Sequence, residues 1–297
     1  MRVDPNLSSL LNAGIQGTEQ ALNTAVQQVA SGQRVSVPSD DPAATGANLQ
    51  SLAESTNVDR YSQNGDAVLS QAQMADSALS NVVSELNQAI TLGTQGADGT
   101  MTSENRAAIA TQVQSVLSEV VSQANTTLNG VSLFGGTATA VSAFAADSTS
   151  PTGYVYQGNS GVNSAAIGDN LQVDVNVPGD QVFTNPNGNV LGSLMQLISA
   201  LGSGSTSDIG DAVTAVRGAL TNVSQQRVVY AGVVNQINAQ ESYLSQETIS
   251  LTSQQQSLTG VDMSTAISNL TQAQIAHSTI LAAAAKVLPT SLLDYLK

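Results

Sequence analysis

His277 is the one histidine of this 297-residue chain, and histidine is the side chain whose ordinary pKa best suits acid–base catalysis near neutrality. It falls, however, in step with Ile267, Leu270 and Leu281 on an apolar seam, where it reads as a packed or subunit-facing residue. Asp40 and Asp41 could be a metal or acid–base pair, but side chains adjacent in sequence do not converge on one ion. Asp41, directly before Pro42, is instead placed to cap a helix. Gly202-Ser203-Gly204 has the glycines of a phosphate loop but neither the preceding strand nor the following lysine, so it reads as a flexible linker. Asp169 and Asp174 lack calcium-loop spacing and are expected at strand ends. Arg227 and Glu241 stand at seam positions of a long helix, where a charge fixes register or pairs with a neighbouring helix, the alternative being exposure at an edge. The residues therefore predict no catalytic, cofactor-binding or metal-ligating set, and no enzyme.

What would position these residues is a set of long helices. From Ile209 to Leu258, steps of four and three pass through Ile209, Val213, Val216, Leu220, Val223, Arg227, Tyr230, Val234, Ile237, Glu241, Leu244, Thr248, Leu251, Gln255 and Leu258, and eleven of the fifteen are apolar. That spacing is the seam a coiled coil buries. A helix of this length runs roughly 75 Å and stays dry along its seam only beside other long helices. The same spacing recurs from Leu11 through Ile15, Thr18, Leu22, Ala25 and Val29, ending at Ser31-Gly32 with Gly32 as C-cap. It recurs after Pro42 through Val68, Ala72, Ala75, Leu79, Val82, Leu86 and Ala89, to about Leu92, where the glycines from Gly93 to Gly99 predict a break. A third helix, capped by Thr102, is expected to run to Leu128 and the turn pair Asn129-Gly130. A last one, capped by Asp262, carries Met263, Ile267, Leu270, Gln274, His277, Leu281, Ala284 and Leu288.

Between Phe134 and Phe183 the grammar changes. This stretch holds five of the nine aromatic residues, with Gly, Pro and Asn as punctuation and alternation at Leu171, Val173, Val175 and Val177. It predicts a small β-rich module leaning on the helical body. The fold expected is mainly α, an elongated antiparallel helical bundle or coiled coil built from the N- and C-terminal segments, with a small β-rich domain inserted in the middle. Its parts are 1–41 and 260–297 as a terminal coiled-coil domain, disordered in the monomer; 42–136 and 188–259 as a long-helix bundle; and 137–187 as the insert.

The net charge of −14 rests on eight basic residues, none of them between Arg106 and Arg217. Nucleic acid and anionic membranes both require clustered positive charge, so neither is an expected partner. Cysteine is absent, which suits life outside the cell. No apolar run has the length of a cleaved signal or a membrane span, so export would need another machine.

The stretch Ser31-Gly32-Gln33-Arg34-Val35, continuing to Pro38-Ser39-Asp40-Asp41-Pro42-Ala43-Ala44, resembles the terminal signature of the bacterial flagellin superfamily. Its Pro-Ser-Asp-Asp-Pro form is closer to the hook-filament junction branch than to filament flagellins. Tyr61 with Asn64, Arg106, Ala124-Asn125, Phe134-Gly135-Gly136, Tyr156-Gln157-Gly158 and Leu288-Pro289-Thr290-Ser291-Leu292-Leu293-Asp294-Tyr295-Leu296 extend the likeness over nearly the whole chain. The chain lacks the Tyr often found near Leu133-Phe134. The resemblance implies a secreted structural protein of the bacterial flagellum, exported through the flagellar type III apparatus with a chaperone. It would self-associate into a ring between a hook-side junction protein and flagellin. The assembly residues expected on the terminal seams are Leu22, Val26, Val29, Ile267, Leu270, Leu281 and Leu288. A short filament flagellin is the nearest rival; a secreted coiled-coil adhesin or translocator lacks its membrane-inserting hairpin here.

Overall fold

The computed structural model describes residues 5–138 and 142–293, with side chains placed at 9–138 and 142–286. In chain order the elements are α1 (Pro5–Ser31), α2 (Pro42–Gly96), α3 (Ser103–Ala124), β1 (Thr127–Leu128), β2 (Val131–Ser132), β3 (Phe144–Ala146), β4 (Tyr154–Tyr156), β5 (Ser164–Gly168), β6 (Leu171–Asp174), α4 (Gly179–Phe183), α5 (Val190–Ser203), α6 (Thr206–Thr259) and α7 (Met263–Leu293). The chain divides into two compact units, one of Met1–Asn57 with Gln246–Lys297 and one of Val58–Ser245. Helices α2 and α6 contribute residues to both. The architecture is mainly α, with the small β region between the helices.

The four-and-three seam of α6 is the line the helix buries. Ile209, Val213, Val216, Val223, Tyr230, Ile237, Leu244 and Leu251 are buried, and the remaining seam positions are half-buried. Within the Val58–Ser245 unit, this face joins Leu79, Leu86, Val113, Leu117, Leu194 and Leu197 in one core drawn from α2, α3, α5 and α6. Helix α2 runs antiparallel to α6. Gly65 lies by Ile237 and Gly93 by Val213, with an ion pair between, in which Arg227 Nε donates to Asp76 Oδ1 at 2.8 Å. The arginine at a seam position thus pairs with a neighbouring helix. Glu241 also meets α2, but against the carboxyl of Asp66 rather than a cation. Burial and the Asp66 carboxylate beside it hold its carboxyl above the usual range.

Several boundaries differ from the sequence reading. Helix α2 does not break at Gly93 but continues to Gly96. A Cβ at Gly93 would sit 2.6 Å from Val213 Cγ2, and one at Gly96 would overlap Leu201 Cδ2, so these glycines serve close packing inside the helix. Helix α3, capped by Thr102 Oγ1 accepting from Asn105 N–H, stops at Ala124 rather than Leu128. Asn129-Gly130, both with positive φ, instead turns a hairpin between β1 and β2. Gly202 to Ser205 is not a flexible linker. Helix α5 runs to Ser203, Gly204 takes the left-handed conformation with φ 76°, and Ser205 Oγ accepts from Asp208 N–H at the start of α6. Arg106 fixes that turn, donating to the carbonyls of Gly204 at 3.1 Å, Gly96 at 3.0 Å and Asp98 at 3.2 Å.

The inserted region forms antiparallel two-stranded pairs, β3 with β4 and β5 with β6. Two-stranded ribbons are marginal alone, and side chains bind them to the helices. Phe134 and Phe144 meet Phe183 edge-on, with ring centroids 5.3 and 5.4 Å apart. All three rings belong to the helical core. Asn125 copies a strand edge, accepting from Phe144 N–H at 2.8 Å and donating to Phe144 O at 2.9 Å. The buried Tyr230 hydroxyl accepts from Val177 N–H at 3.1 Å.

Candidate assembly site

The terminal unit is built on α1 and α7, which pack antiparallel. Thr18 Oγ1 lies 3.2 Å from His277 Nδ1, and a Cβ at Gly14 would fall 2.5 Å from Ile280 Cδ1. His277 is thus a half-buried residue of the helix pair. The buried line is made of small residues: Ala25, Ala266 and Ala284. Alanine lets the helices approach but removes little apolar area from water, so these three positions contribute little to holding the pair together.

The expected assembly residues lie beside that line. Leu22, Val29 and Leu270 are half-buried between the helices. Val26, Ile267 and Leu281 remain 47%, 53% and 45% exposed. The side chain of Leu288 lies outside the described residues, as do the structures of Asp294 to Leu296.

A clasp closes the base of the pair. Gly32, with φ 69°, ends α1, and its carbonyl accepts from Val261 N–H at 3.0 Å. Gln33 bridges Gly260 in antiparallel fashion, and Arg34 N–H donates to Thr259 O at 2.7 Å. Asp41 caps α2 through Ala44 N–H at 3.0 Å while its other oxygen accepts from Arg34 Nη1 at 3.1 Å, and Arg34 Nη2 reaches Leu258 O at 2.9 Å. Asp40 does not cap the helix. Its carboxylate accepts from the N–H groups of Ser36 and Val37, both at 3.0 Å, and so closes the turn around exposed Pro38 and Ser39. Gly32, Gln33 and Arg34 thus tie the N-terminal segment to the C-terminal one, and of the signature Pro38, Ser39, Asp40, Asp41 and Pro42 it is Asp41 that reaches that tie, through Arg34. Arg34, to which the sequence alone assigns no role, carries the link.

The N–H groups of Val37 and Ser36 hold Asp40 below the usual carboxylate range, and Ala44 N–H followed by Arg34 does the same for Asp41. A carboxyl whose folded pKa is lowered stabilises the fold above its unfolded pKa and loses that contribution as pH falls through the folded value. Asp41→Ala is accordingly expected to lower the melting midpoint of the terminal unit at neutral pH. The difference from the unaltered chain closes in acid, where both lack the carboxylate. Circular dichroism melts at the two pH values check this, and an equal difference at both would refute the charge-assisted cap.

Among the described residues no group of three or more His, Cys, Asp or Glu could hold a metal ion, and no helix is long and apolar enough to cross a membrane. What the terminal unit offers instead is a sparsely charged surface on paired helices, on which Val26, Ile267 and Leu281 stand exposed.

Residues 6–139 match the family model of the bacterial flagellin N-terminal helical region, and residues 213–296 that of its C-terminal helical region. The flagellin of Listeria innocua is 25% identical over 282 residues, covering 94% of this chain and 93% of that protein. Flagellar hook-associated protein 3 of Escherichia coli is 25% identical over 275 residues, covering 84% of this chain and 85% of that protein. A solved Vibrio parahaemolyticus structure assigned to the flagellar hook-associated proteins has 22% identity and a TM-score of 0.68. It covers 74% of this chain and 99% of its own, and is a likeness of fold.

Proposed function

The chain belongs to the bacterial flagellin superfamily, and from that premise we propose that it is a structural adaptor joining the flagellar hook to the filament. The observation that carries this is the likeness to a hook-associated protein over most of both lengths. The terminal helix pair supports it, because an apolar flank left wet in one chain is covered when copies stack. In this reading the protein leaves the cell through the flagellar type III apparatus with an export chaperone. It forms a ring and meets a hook-side junction protein on one side and flagellin on the other. The segments 1–41 and 260–297 gain their stability on assembly, 42–136 with 188–259 form the long-helix bundle, and 137–187 forms the inserted β-rich domain.

Deleting the gene from its own bacterium is expected to leave hooks without filaments by electron microscopy, with unpolymerised flagellin in the medium. Normal filaments would refute the proposal. A second reading, a short filament flagellin, is favoured by the end-to-end match to the Listeria protein. Purified protein growing alone into long filaments would select it.

A further inference from the structure

The two flanks of the terminal helix pair are unlike one another. At about 3.6 residues per turn, Gly17, Ala21, Thr24 and Gln28 fall on one side of the buried line through Thr18 and Ala25, and Val26 falls on the other. On α7, Asn269 lies to one side of the line through Ala266 and Ala284, and Ile267, Leu270 and Leu281 lie to the other. An antiparallel pair brings like sides together. One flank is therefore a groove lined by Gly17, Ala21, Thr24, Gln28, Asn269 and Ala273. The opposite flank is a ridge on which Val26, Ile267 and Leu281 stand exposed over half-buried Leu22 and Leu270. Val26 and Ile267 occupy the same stretch of the pair as the groove, and Leu281 lies just beyond it, level with Gly14. Val26 falls within the span of α1 that lines the groove, and Ile267 is two residues from Asn269.

We propose that the ridge of one copy seats in the groove of the next. This deepens the junction reading and rests on it. The contact is head-to-tail: each copy gives one flank and receives on the other, so copies add sideways without a two-fold axis. Charge points to a second copy as the occupant. The chain carries −14 overall, yet from residue 9 to 31 and from 263 to 286 the formal charges are Glu19 and Lys286 alone, which cancel. This is where two copies of so acidic a chain can touch without like-charge repulsion. Size agrees as well, since between the polar side chains of Thr24, Gln28 and Asn269 the groove has the small residues Gly17, Ala21 and Ala273, which leave room for the branched side chains of the ridge, whereas two ridges facing each other would hold the backbones apart.

The chain lacks cysteine, so engineered pairs report without background. Thr24→Cys marks the groove and Ile267→Cys the ridge. When flagella isolated from cells making the double variant are oxidised, the expected result on a denaturing gel is a ladder of dimers, trimers and higher multimers. Each single variant stays monomeric. Single variants that dimerise as fully as the double one would overturn the pairing of unlike flanks, and so would a double variant that stays monomeric in flagella containing it. A chain absent from isolated flagella would overturn the junction reading itself. Ala21→Leu fills the groove and is expected to remove the chain from flagella while leaving its export. Adding Ile267→Ala to that variant restores incorporation if the two flanks meet, and failure to restore it counts against the pairing.

Discussion

Phe183→Ala lowers the stability of the Val58–Ser245 unit by about 3–5 kcal/mol, the range for emptying a buried aromatic site. Phe183 is fully buried, and both Phe134 and Phe144 rest on it edge-on. Removing it opens a cavity and strips two other rings of their partner. The surrounding chain has little freedom to collapse inward, because Asn222 Nδ2 holds Val182 O at 2.9 Å beside it. Phe183→Leu keeps most of the volume and is expected to cost much less. Val229→Ala, at a position 49% exposed on α6, should change almost nothing. Denaturant titration of the three variants orders them. A Phe183→Ala loss no larger than that of Val229→Ala would mean that the inserted region is not built into the helical core.

Leu281→Asp and Ile267→Asp are expected to act in the opposite manner, leaving the single chain intact and abolishing assembly. Both residues are about half exposed, so an aspartate there remains solvated in the monomer and the melting curve stays where it was. Covered by another copy, the same carboxylate loses its water without gaining a partner, at a cost of a few kcal/mol per contact. A ring repeats that cost at every subunit. Cells carrying either variant should export the protein yet fail to join filament to hook. Leu270→Asp separates the two effects, because Leu270 is half-buried between the helices and its replacement should disturb monomer and assembly together. Normal motility with Leu281→Asp would show that this flank is not an assembly surface.

The helices were legible because their signal is long. Fifteen seam positions on α6 each point the same way, and chance does not sustain a four-and-three rhythm for fifty residues. The caps at Thr102 and Asp41 were legible for a different reason: a cap is chemistry between neighbours in sequence. Glycine was not. Gly93 reads the same whether the chain turns there or whether Val213, 120 residues later, must come close, and only the fold tells which. The linker at Gly202 failed likewise, since its rigidity comes from Arg106 on a different helix. Asp40 and Asp41 look alike in sequence yet bond in opposite directions, one back to the turn and one forward to the helix. In the terminal unit the expected apolar seam splits into half-buried and exposed members, and heptad spacing alone cannot rank them when alanine fills the buried line.

The clasp at Gly32 and Gly260 bears on twist. A helix pair hung from a single covalent connection can swivel about it, since rotation around one chain meets only torsional barriers. Here the pair is attached by two connections, one through residues 32–41 and one through 260–262. Antiparallel hydrogen bonds and the Arg34 guanidinium cross-tie them. Turning the pair about its axis must shear those ties, so torque applied to the rest of the terminal unit reaches α1 and α7 as if through a two-pronged key rather than a cord.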